Sequence, residues 1–149
     1  MKLDLDNYVP GLLLWLSNKI ASSATQVYRS RFDIGVTDWR VLAYFEVYTW
    51  STASSACELM GLDKAAVSRS IAFLVSKGWL HSRPAGLRKV EYETTPRGKT
   101  FHRRVFAVAM ARERALLDGM NKSDQKQLVR LLHHMLRNLD RVDAAGYDS

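Results

Sequence analysis

Residues 61–76 read "GLDKAAVSRSIAFLVS", and this stretch decides the fold. Asp63 is a typical helix N-cap, and apolar residues follow it at helical spacing, at Val67, Ile71, Leu74 and Val75. The other flank of this predicted helix carries only small side chains and two cations, namely Lys64, Ala65, Ser68, Arg69 and Ala72. Because small side chains let a helix backbone approach closely, we expect this flank to lie against a flat, acidic surface.

The preceding stretch, "STASSACELMGL", predicts a shorter helix. Ser51 or Thr52 would cap its N-terminus, and Gly61 would end it, because glycine adopts a positive φ without strain. Two consecutive helices joined by a short turn form a helix-turn-helix. At the crossing of these helices we expect Cys57 to be a small buried hydrophobic side chain rather than a redox sensor.

After the second of these helices, the periodicity changes from that of a helix to that of a strand. "WLHSR" is a short strand candidate, and the "PAG" that follows its arginine is a turn signal. In "KVEYETT", Val90, Tyr92 and Thr94 alternate with charged residues. The pattern predicts a β-hairpin directly after the helix-turn-helix, in the position of a wing.

Longer helices flank this central region. They are predicted over about residues 6–32, 37–48 and 96–118, with one last helix from about residue 123. Thr37 is the expected N-cap of the second, and Thr95 followed by Pro96 is the expected start of the third. The last helix has an apolar stripe made of Leu128, Leu131, Leu132, Met135, Leu139 and Val142.

The positive charge of the chain is concentrated in one third of its length. The net charge is +7, and residues 62–114 hold 12 Lys/Arg and 4 Asp/Glu, which gives 12 − 4 = +8. A basic block of this kind is typical of proteins that bind nucleic acid or an anionic surface. A solvated positive face without a partner is the alternative interpretation.

The composition indicates a globular protein of one domain, or of one compact unit with appendages, at 149 residues with 47% apolar and 25% charged side chains. No apolar run approaches the length of a membrane span, and the N-terminal stretch lacks the features of a secretory signal. A single cysteine excludes an internal disulfide and suits a reducing cytoplasm. We therefore expect a cytoplasmic protein without a membrane partner.

The second helix of a helix-turn-helix enters the DNA major groove with its N-terminal residues leading. This predicts double-stranded DNA as the partner and contacts from Lys64, Ala65, Ser68 and Arg69. Two serines near the start of the preceding helix, Ser54 and Ser55, would offer hydroxyl and backbone N–H groups to a phosphate. Arg88 and Lys89 at the tip of the hairpin would enter the minor groove, which attracts cations where it is narrow.

Three segments, "DWRVLAYF", "ELMGLDKAAVSRSIAFLVSKGWL" and "ETTPRGK", resemble the MarR family of winged-helix transcription regulators. The resemblance implies a homodimer that binds palindromic DNA and is often released by a small aromatic acid or phenol. It also implies that Lys64, Ser68 and Arg69 are recognition-helix contacts and that Arg88 is the wing arginine. The sequence departs from the family pattern at Gly86, where the family has Asp, and at Thr94, which is usually apolar.

The expected architecture is mainly α with a small β-hairpin wing. Residues 1–35 would form an N-terminal dimerisation helix, residues 36–96 the winged helix-turn-helix, and residues 97–149 the C-terminal dimerisation helices. The apolar stripes of the terminal helices are too long for the small central core to cover, and each exposed apolar side chain forfeits roughly 1.5–3 kcal/mol. A second copy of the chain would cover these stripes. The alternative is that the stripes pack on each other within one chain.

A ligand pocket between the dimerisation layer and the winged helix would draw on Trp15, Asn18, Trp39, Arg40, Tyr44 and His102. Aromatic walls and one cation suit an aromatic carboxylate, although aromatic residues on amphipathic helices are usually core residues. The histidines lack the spacing of metal ligands, so no metal and no cofactor are expected. No catalytic motif is present, so we expect no enzyme; a sequence-tolerant basic DNA-binding or nucleoid-type protein is the competing class.

Overall fold

The structure is a computed structural model and describes residues 1–147. Within this range the helices are α1 (Val9–Phe32), α2 (Val36–Val47), α3 (Ala53–Met60), α4 (Lys64–Ser76), α5 (Pro96–Leu116), α6 (Lys122–Arg137) and α7 (Leu139–Ala145). The strands are β1 (Ser51–Thr52), β2 (Leu80–Pro84) and β3 (Val90–Thr94). The prediction of a mainly α fold, in which a small wing follows a helix-turn-helix, is confirmed.

The chain divides into two compact units. The first is Met1–Ala107, and the second begins at Val108. In the first unit α2 packs on both α4 and β3, and the core lies between these elements. The side chains that this core removes fully from solvent are Ile34, Val41, Leu42, Phe45, Ala56, Val67, Leu74 and Val105.

The sheet has a third strand that the sequence did not predict. Its order is β1-β3-β2 with both pairs antiparallel, so the predicted hairpin is confirmed and β3 is the central strand. Ser51 pairs with Tyr92, and Thr52 pairs with Glu91. A strand of two residues is too short to give an alternating pattern, which is why the sequence did not indicate it.

The junction between α1 and α2 differs from the prediction. Helix α1 ends at Phe32, Asp33 adopts a left-handed conformation with a φ of 55°, and Gly35 is the N-cap of α2. The Gly35 backbone N–H donates a hydrogen bond to Asp38 Oδ2 at 2.8 Å. The prediction that Thr37 caps this helix is therefore wrong; Thr37 lies in the first turn of α2.

The buried position on α3 is also one residue away from the predicted one. Ala56 has no exposed surface, whereas Cys57 is only half-buried. Successive helical residues differ by about 100° in direction, so a shift of one residue moves a side chain from the crossing to its edge. On α4, Val75 is exposed, while the other predicted core residues, Val67, Ile71 and Leu74, are buried.

The predicted last helix is interrupted. It ends at Asn138, whose backbone has a φ of −92° and a ψ of 0°, and α7 follows. Within the described residues, neither α6 nor α7 contains a buried residue. Three residues of the predicted stripe, Leu131, Leu139 and Val142, are largely exposed in the single chain.

The start of α5 lies directly against the turn that follows α4. Thr95 is the N-cap, as predicted: its Oγ1 accepts a hydrogen bond from Gly98 N at 3.0 Å and donates one to the Gly78 carbonyl at 2.6 Å. A Cβ atom at Gly98 would lie only 2.0 Å from the Trp79 carbonyl oxygen. Position 98 therefore admits only glycine in this arrangement.

Buried Thr94 shows how the chain accommodates a polar residue at a position expected to be apolar. Its side chain is 2% exposed, and its Oγ1 donates a hydrogen bond to Glu46 Oε2 on α2. A buried hydroxyl with a charged acceptor avoids the desolvation cost of an unpaired one. The bond joins the central strand to α2.

Candidate nucleic-acid interface

The helix-turn-helix consists of α3 and α4, and local caps define its ends. Thr52 Oγ1 accepts a hydrogen bond from Ser55 N at 3.1 Å at the start of α3, and Gly61 ends this helix with a φ of 61°. Asp63 Oδ2 accepts a hydrogen bond from Ala66 N at 3.0 Å at the start of α4. The predicted capping roles of Thr52, Gly61 and Asp63 are confirmed.

Helix α4 has two faces of different composition. Val67 and Leu74 are fully buried and Ile71 is 5% exposed, so this face belongs to the core. The side chains of the opposite face are all exposed, and they are Lys64, Ala65, Ser68, Arg69 and Ala72. The face that the sequence singled out is therefore free to contact another molecule.

A buried hydrogen bond fixes the orientation of α4 about its own axis. Ser70, which is 5% exposed, donates from Oγ to Asp38 Oδ1 on α2 at 2.6 Å. Asp38 uses its other oxygen to accept from Gly35, so one carboxylate connects the α1–α2 junction to the middle of α4. The partners lie 32 residues apart, and no local pattern in the sequence indicates this contact.

The two serines predicted to bind a phosphate lie at the start of α3, and both are exposed. Ser55 already uses its backbone N–H for the Thr52 cap, and its Oγ lies 3.0 Å from Thr52 Oγ1. The Ser54 hydroxyl is thus more available to a phosphate than the Ser55 hydroxyl.

The wing ends in a tight turn with two residues of positive φ. Ala85 N donates to the Lys89 carbonyl at 3.0 Å, and the turn between them places Gly86 at a φ of 100° and Arg88 at 63°. A left-handed conformation is costly for an arginine, by roughly 1–2 kcal/mol. Both predicted wing cations, Arg88 and Lys89, are exposed.

A cluster that the sequence did not indicate supports the two strands of the wing. Arg83 on β2 forms an ion pair with Glu91 on β3 at 2.9 Å, and its guanidinium lies 4.1 Å from the centroid of the Trp50 ring. His81 lies beside the same ring at 5.0 Å and contacts Glu93 at 3.3 Å. These contacts therefore support the two strands of the wing, whereas its tip has no such support among the described residues.

The cations of the candidate interface have no acidic partners among the described residues. Two ion pairs lie in the sheet, His81–Glu93 and Arg83–Glu91. No ion pair within residues 1–147 involves Lys64, Arg69, Arg88 or Lys89. Their charge is available to an anionic partner.

The predicted ligand-pocket residues are only partly brought together. Trp39 on α2 stacks on His102 of α5 with ring centroids 5.0 Å apart, and Tyr44 is 8% exposed in the core. Arg40 is half-buried, whereas Trp15 and Asn18 are exposed on α1. Burial lowers the pKa of His102 below its ordinary value, with Arg103 adding to this effect and Glu46 opposing it.

The part of the chain that the structure describes has no group of three or more His, Cys, Asp or Glu side chains placed to hold a metal ion. Within that same part, none of the helices combines the length and the hydropathy of a membrane span.

No family model matches the sequence, and no curated protein does. Solved structures do match. A MarR/EmrR family transcriptional regulator from Acinetobacter sp. ADP1 is 25% identical, with a TM-score of 0.85, over 93% of this chain and 99% of that one. A mutant MarR from E. coli complexed with operator DNA is 22% identical, with a TM-score of 0.73, over 91% of this chain and 99% of that one.

The MepR–DNA complex of S. aureus is 17% identical, with a TM-score of 0.76, over 92% of this chain and 99% of that one. These structures match this chain over nearly their whole length, including the helices outside the helix-turn-helix. The resemblance drawn from the sequence is confirmed: this chain has the winged helix-turn-helix fold of the MarR family of transcriptional regulators.

Proposed function

We propose that this chain is a sequence-specific, double-stranded DNA-binding transcriptional regulator that acts in the cytoplasm as a repressor. The observation that carries the proposal is the exposed small face of α4, where Lys64 and Arg69 have no acidic partner among the described residues. Two relatives of the same fold, from E. coli and S. aureus, were solved in complex with DNA.

Each side chain of the interface has a distinct role in this proposal. Ala65 and Ser68 are small and exposed, so the N-terminal turns of α4 can approach the base edges of the major groove. Lys64 and Arg69 bind phosphates or a guanine edge, and the Ser54 hydroxyl binds a phosphate. The wing places Arg88 and Lys89 at the minor groove.

The active form in this proposal is a homodimer on a palindromic operator. The support is the exposed apolar surface of the terminal helices, which includes Leu12, Leu14, Leu16, Leu131, Leu136 and Leu139. Residues 1–35 and 97–149 would form the dimerisation layer, and residues 36–96 the DNA-binding domain. A two-fold dimer then presents two recognition helices roughly 34–36 Å apart, one turn of DNA.

The test is a fluorescence-anisotropy titration against the DNA upstream of the chain's own gene, with random DNA as competitor. The expected preference for the operator over random DNA is about 10³-fold or more. Arg69→Ala should weaken operator binding about tenfold or more and leave the dimer intact. Arg130→Ala, the same substitution on exposed α6, serves as the control and should bind normally.

Arg88→Ala should weaken operator binding less than Arg69→Ala does. The wing has Gly86 where the family has Asp, and Arg88 forms no ion pair with a described residue, so the tip does not hold this side chain in one orientation. If Arg88→Ala weakened operator binding more than Arg69→Ala, the proposal that α4 contributes more to binding than the wing would be wrong.

A small aromatic acid or phenol is proposed to release the protein from DNA. The support is the stacked pair Trp39 and His102 with half-buried Arg40 one residue further along α2. A panel of aromatic acids and phenols added to the bound complex should include one that lowers the anisotropy. Arg40→Gln should abolish this response while keeping operator affinity; a response unchanged by Arg40→Gln would exclude Arg40 from the site.

The second candidate is a sequence-tolerant DNA-binding protein without a ligand switch. The basic block, with a net charge of +8 over residues 62–114, favours binding of any DNA. If random DNA displaces the protein as well as DNA sites selected from the whole genome do, this second candidate is established.

A further inference from the structure

An open cleft in the first unit lies outside the proposed DNA interface. It is formed by the end of α1, the turn after α4 and the first turns of α5, and its volume is about 640 Å³. This volume falls within the range of roughly 300–1,000 Å³ that is usual for small-molecule sites. The side chains that give the cleft its chemistry are Phe32, Lys77, Trp79, Arg97, Phe101 and Arg104.

The floor of the cleft is aromatic and rigid. Trp79 and Phe101 stack in parallel with centroids 3.8 Å apart and an angle of 7° between the rings. Phe32 meets Phe101 edge-on at 6.1 Å. Gly98 brings the α5 backbone against the Trp79 carbonyl, which fixes the separation of the two stacked rings. The cleft is thus preformed.

The rim of the cleft is cationic. Lys77, Arg97 and Arg104 form no ion pair with any described residue. The Arg104 guanidinium lies 5.9 Å from the Phe32 ring centroid. An Arg97 nitrogen lies 3.4 Å from the Cβ position that Gly78 leaves empty. Three cations therefore surround an aromatic surface and lack a counter-charge from the described part of the chain.

These cations are not accounted for by the proposed contact with DNA. Lys77 follows α4 at its C-terminal end, and Lys64 begins it. At 1.5 Å per residue the two ends are separated by roughly 20 Å. The N-terminal end of a recognition helix is the end that reads the bases. The cleft thus lies at the end of α4 that is remote from the predicted base contacts.

We infer that this cleft binds a nucleoside monophosphate, an anion that combines a planar ring with a phosphate. A planar ring would stack on the aromatic floor, and a phosphate would accept hydrogen bonds from Arg97 and Arg104. Guanidinium groups match phosphate geometry with paired N–H donors. A rim of three cations suits a ligand with two negative charges better than a carboxylate with one.

The test is isothermal titration calorimetry of the full chain with AMP, adenosine, inorganic phosphate and benzoate. AMP should bind about tenfold or more tightly than each of the other three probes. It alone has both a planar base for the aromatic floor and a phosphate for the cationic rim. Arg97→Gln and Arg104→Gln should each weaken AMP binding about fivefold or more. Lys99→Gln, on the same helix but outside the cleft, is the matched control and should bind AMP as the wild type does.

A DNA-binding protein could also bind AMP at its DNA surface, and Arg69→Ala separates the two sites. AMP binding should survive Arg69→Ala even if DNA binding does not, so this inference and the proposed function fail separately. Circular-dichroism melting curves of all variants should match that of the wild type. Three results would overturn the inference: no AMP binding at millimolar concentration, equal binding of phosphate and AMP, or loss of AMP binding in Arg69→Ala but not in Arg97→Gln.

Discussion

Among the glycines of the first unit, Gly98 is the one at which an added methyl group would lie closest to backbone atoms. A methyl group there would lie 2.0 Å from the Trp79 carbonyl oxygen and 2.9 Å from its carbon. We expect Gly98→Ala to lower the free energy of unfolding by about 3 kcal/mol, because backbone cannot move aside as a flexible side chain can. Urea denaturation followed by circular dichroism measures this change.

Gly146→Ala is the matched control for that substitution. Its Cβ would meet nothing closer than the Asp143 carbonyl oxygen at 3.7 Å, and its φ of −76° suits alanine. The free energy of unfolding should change by less than about 0.5 kcal/mol. Similar effects of the two substitutions would mean that the approach of α5 to Trp79 is less close than described.

Asp38 is a second residue whose substitution should strongly lower the stability of the fold. Asp38→Ala removes the acceptor of the Gly35 cap and leaves the buried Ser70 hydroxyl without its partner. We expect the free energy of unfolding to fall by about 2 kcal/mol. A double-mutant cycle with Ser70→Ala, measured by urea denaturation, should give a coupling energy of about 1 kcal/mol.

Asp63→Ala combined with Ser70→Ala provides the comparison for that cycle. Asp63 caps the helix that carries Ser70, but its hydrogen bond goes to Ala66. These two substitutions should be additive within about 0.5 kcal/mol. If the Asp38 cycle were equally additive, the Asp38–Ser70 hydrogen bond would contribute nothing to stability.

Local interactions explain which residue roles could be predicted from the sequence. Thr52, Asp63 and Thr95 cap helices that begin one residue later, so their roles follow from neighbouring positions. The Asp38–Ser70 bond joins residues 32 apart, and the Thr94–Glu46 bond joins residues 48 apart. Such pairs depend on how helices pack, and a single sequence does not specify that.

The stability of the wing should depend on the side-chain contacts along its strands. Arg83 is held between Glu91 and Trp50, and a cation–π contact at an exposed site contributes about 1 kcal/mol. Arg83→Met should therefore raise the hydrogen-exchange rate of the Ala85 amide, which closes the wing turn, about fivefold. Exchange measured by NMR at a single pH tests this expectation.

Arg88→Met provides the same chemical change at the tip of the wing. Arg88 is exposed and forms no ion pair with the described residues, so this substitution should leave the Ala85 amide unchanged. Equal exchange rates in the two variants would contradict the role of Arg83 as the support of the wing.

At the scale of elements, the sequence predicted those with a clear period and missed those without one. Strand β3 alternates between charged residues and Val90, Tyr92 and Thr94, and α4 has both a cap and an apolar row. Strand β1 has only two residues, and Trp50, which precedes it, has a positive φ of 52°. The third strand and the Trp50 contact were therefore missed, although the hairpin itself was predicted.

For the whole molecule, the main prediction concerns the homodimer. Leu131 is exposed on α6, which buries no residue of its own in the single chain. Leu131→Glu should give a particle of the monomer mass, 17.0 kDa, in size-exclusion chromatography with light scattering. Operator affinity should fall about 100-fold, because the two half-sites are no longer bound together.

Lys126→Glu introduces a glutamate at an exposed position on the opposite face of α6 from the leucine stripe and should remain dimeric. A wild-type chain that is monomeric at micromolar concentration would contradict the dimer itself. A Leu131→Glu chain that remains dimeric would instead place the interface elsewhere.

The contact between Gly98 and Trp79 has a mechanical consequence. Because it is reinforced by the Thr95–Gly78 hydrogen bond and by the Trp79–Phe101 stack, the C-terminal end of α4 and the N-terminal end of α5 are coupled as one stiff joint. A displacement of α5 along its axis would have to carry that end of α4 with it. A rotation of α5 would therefore be transmitted to α4, the helix that is proposed to read DNA.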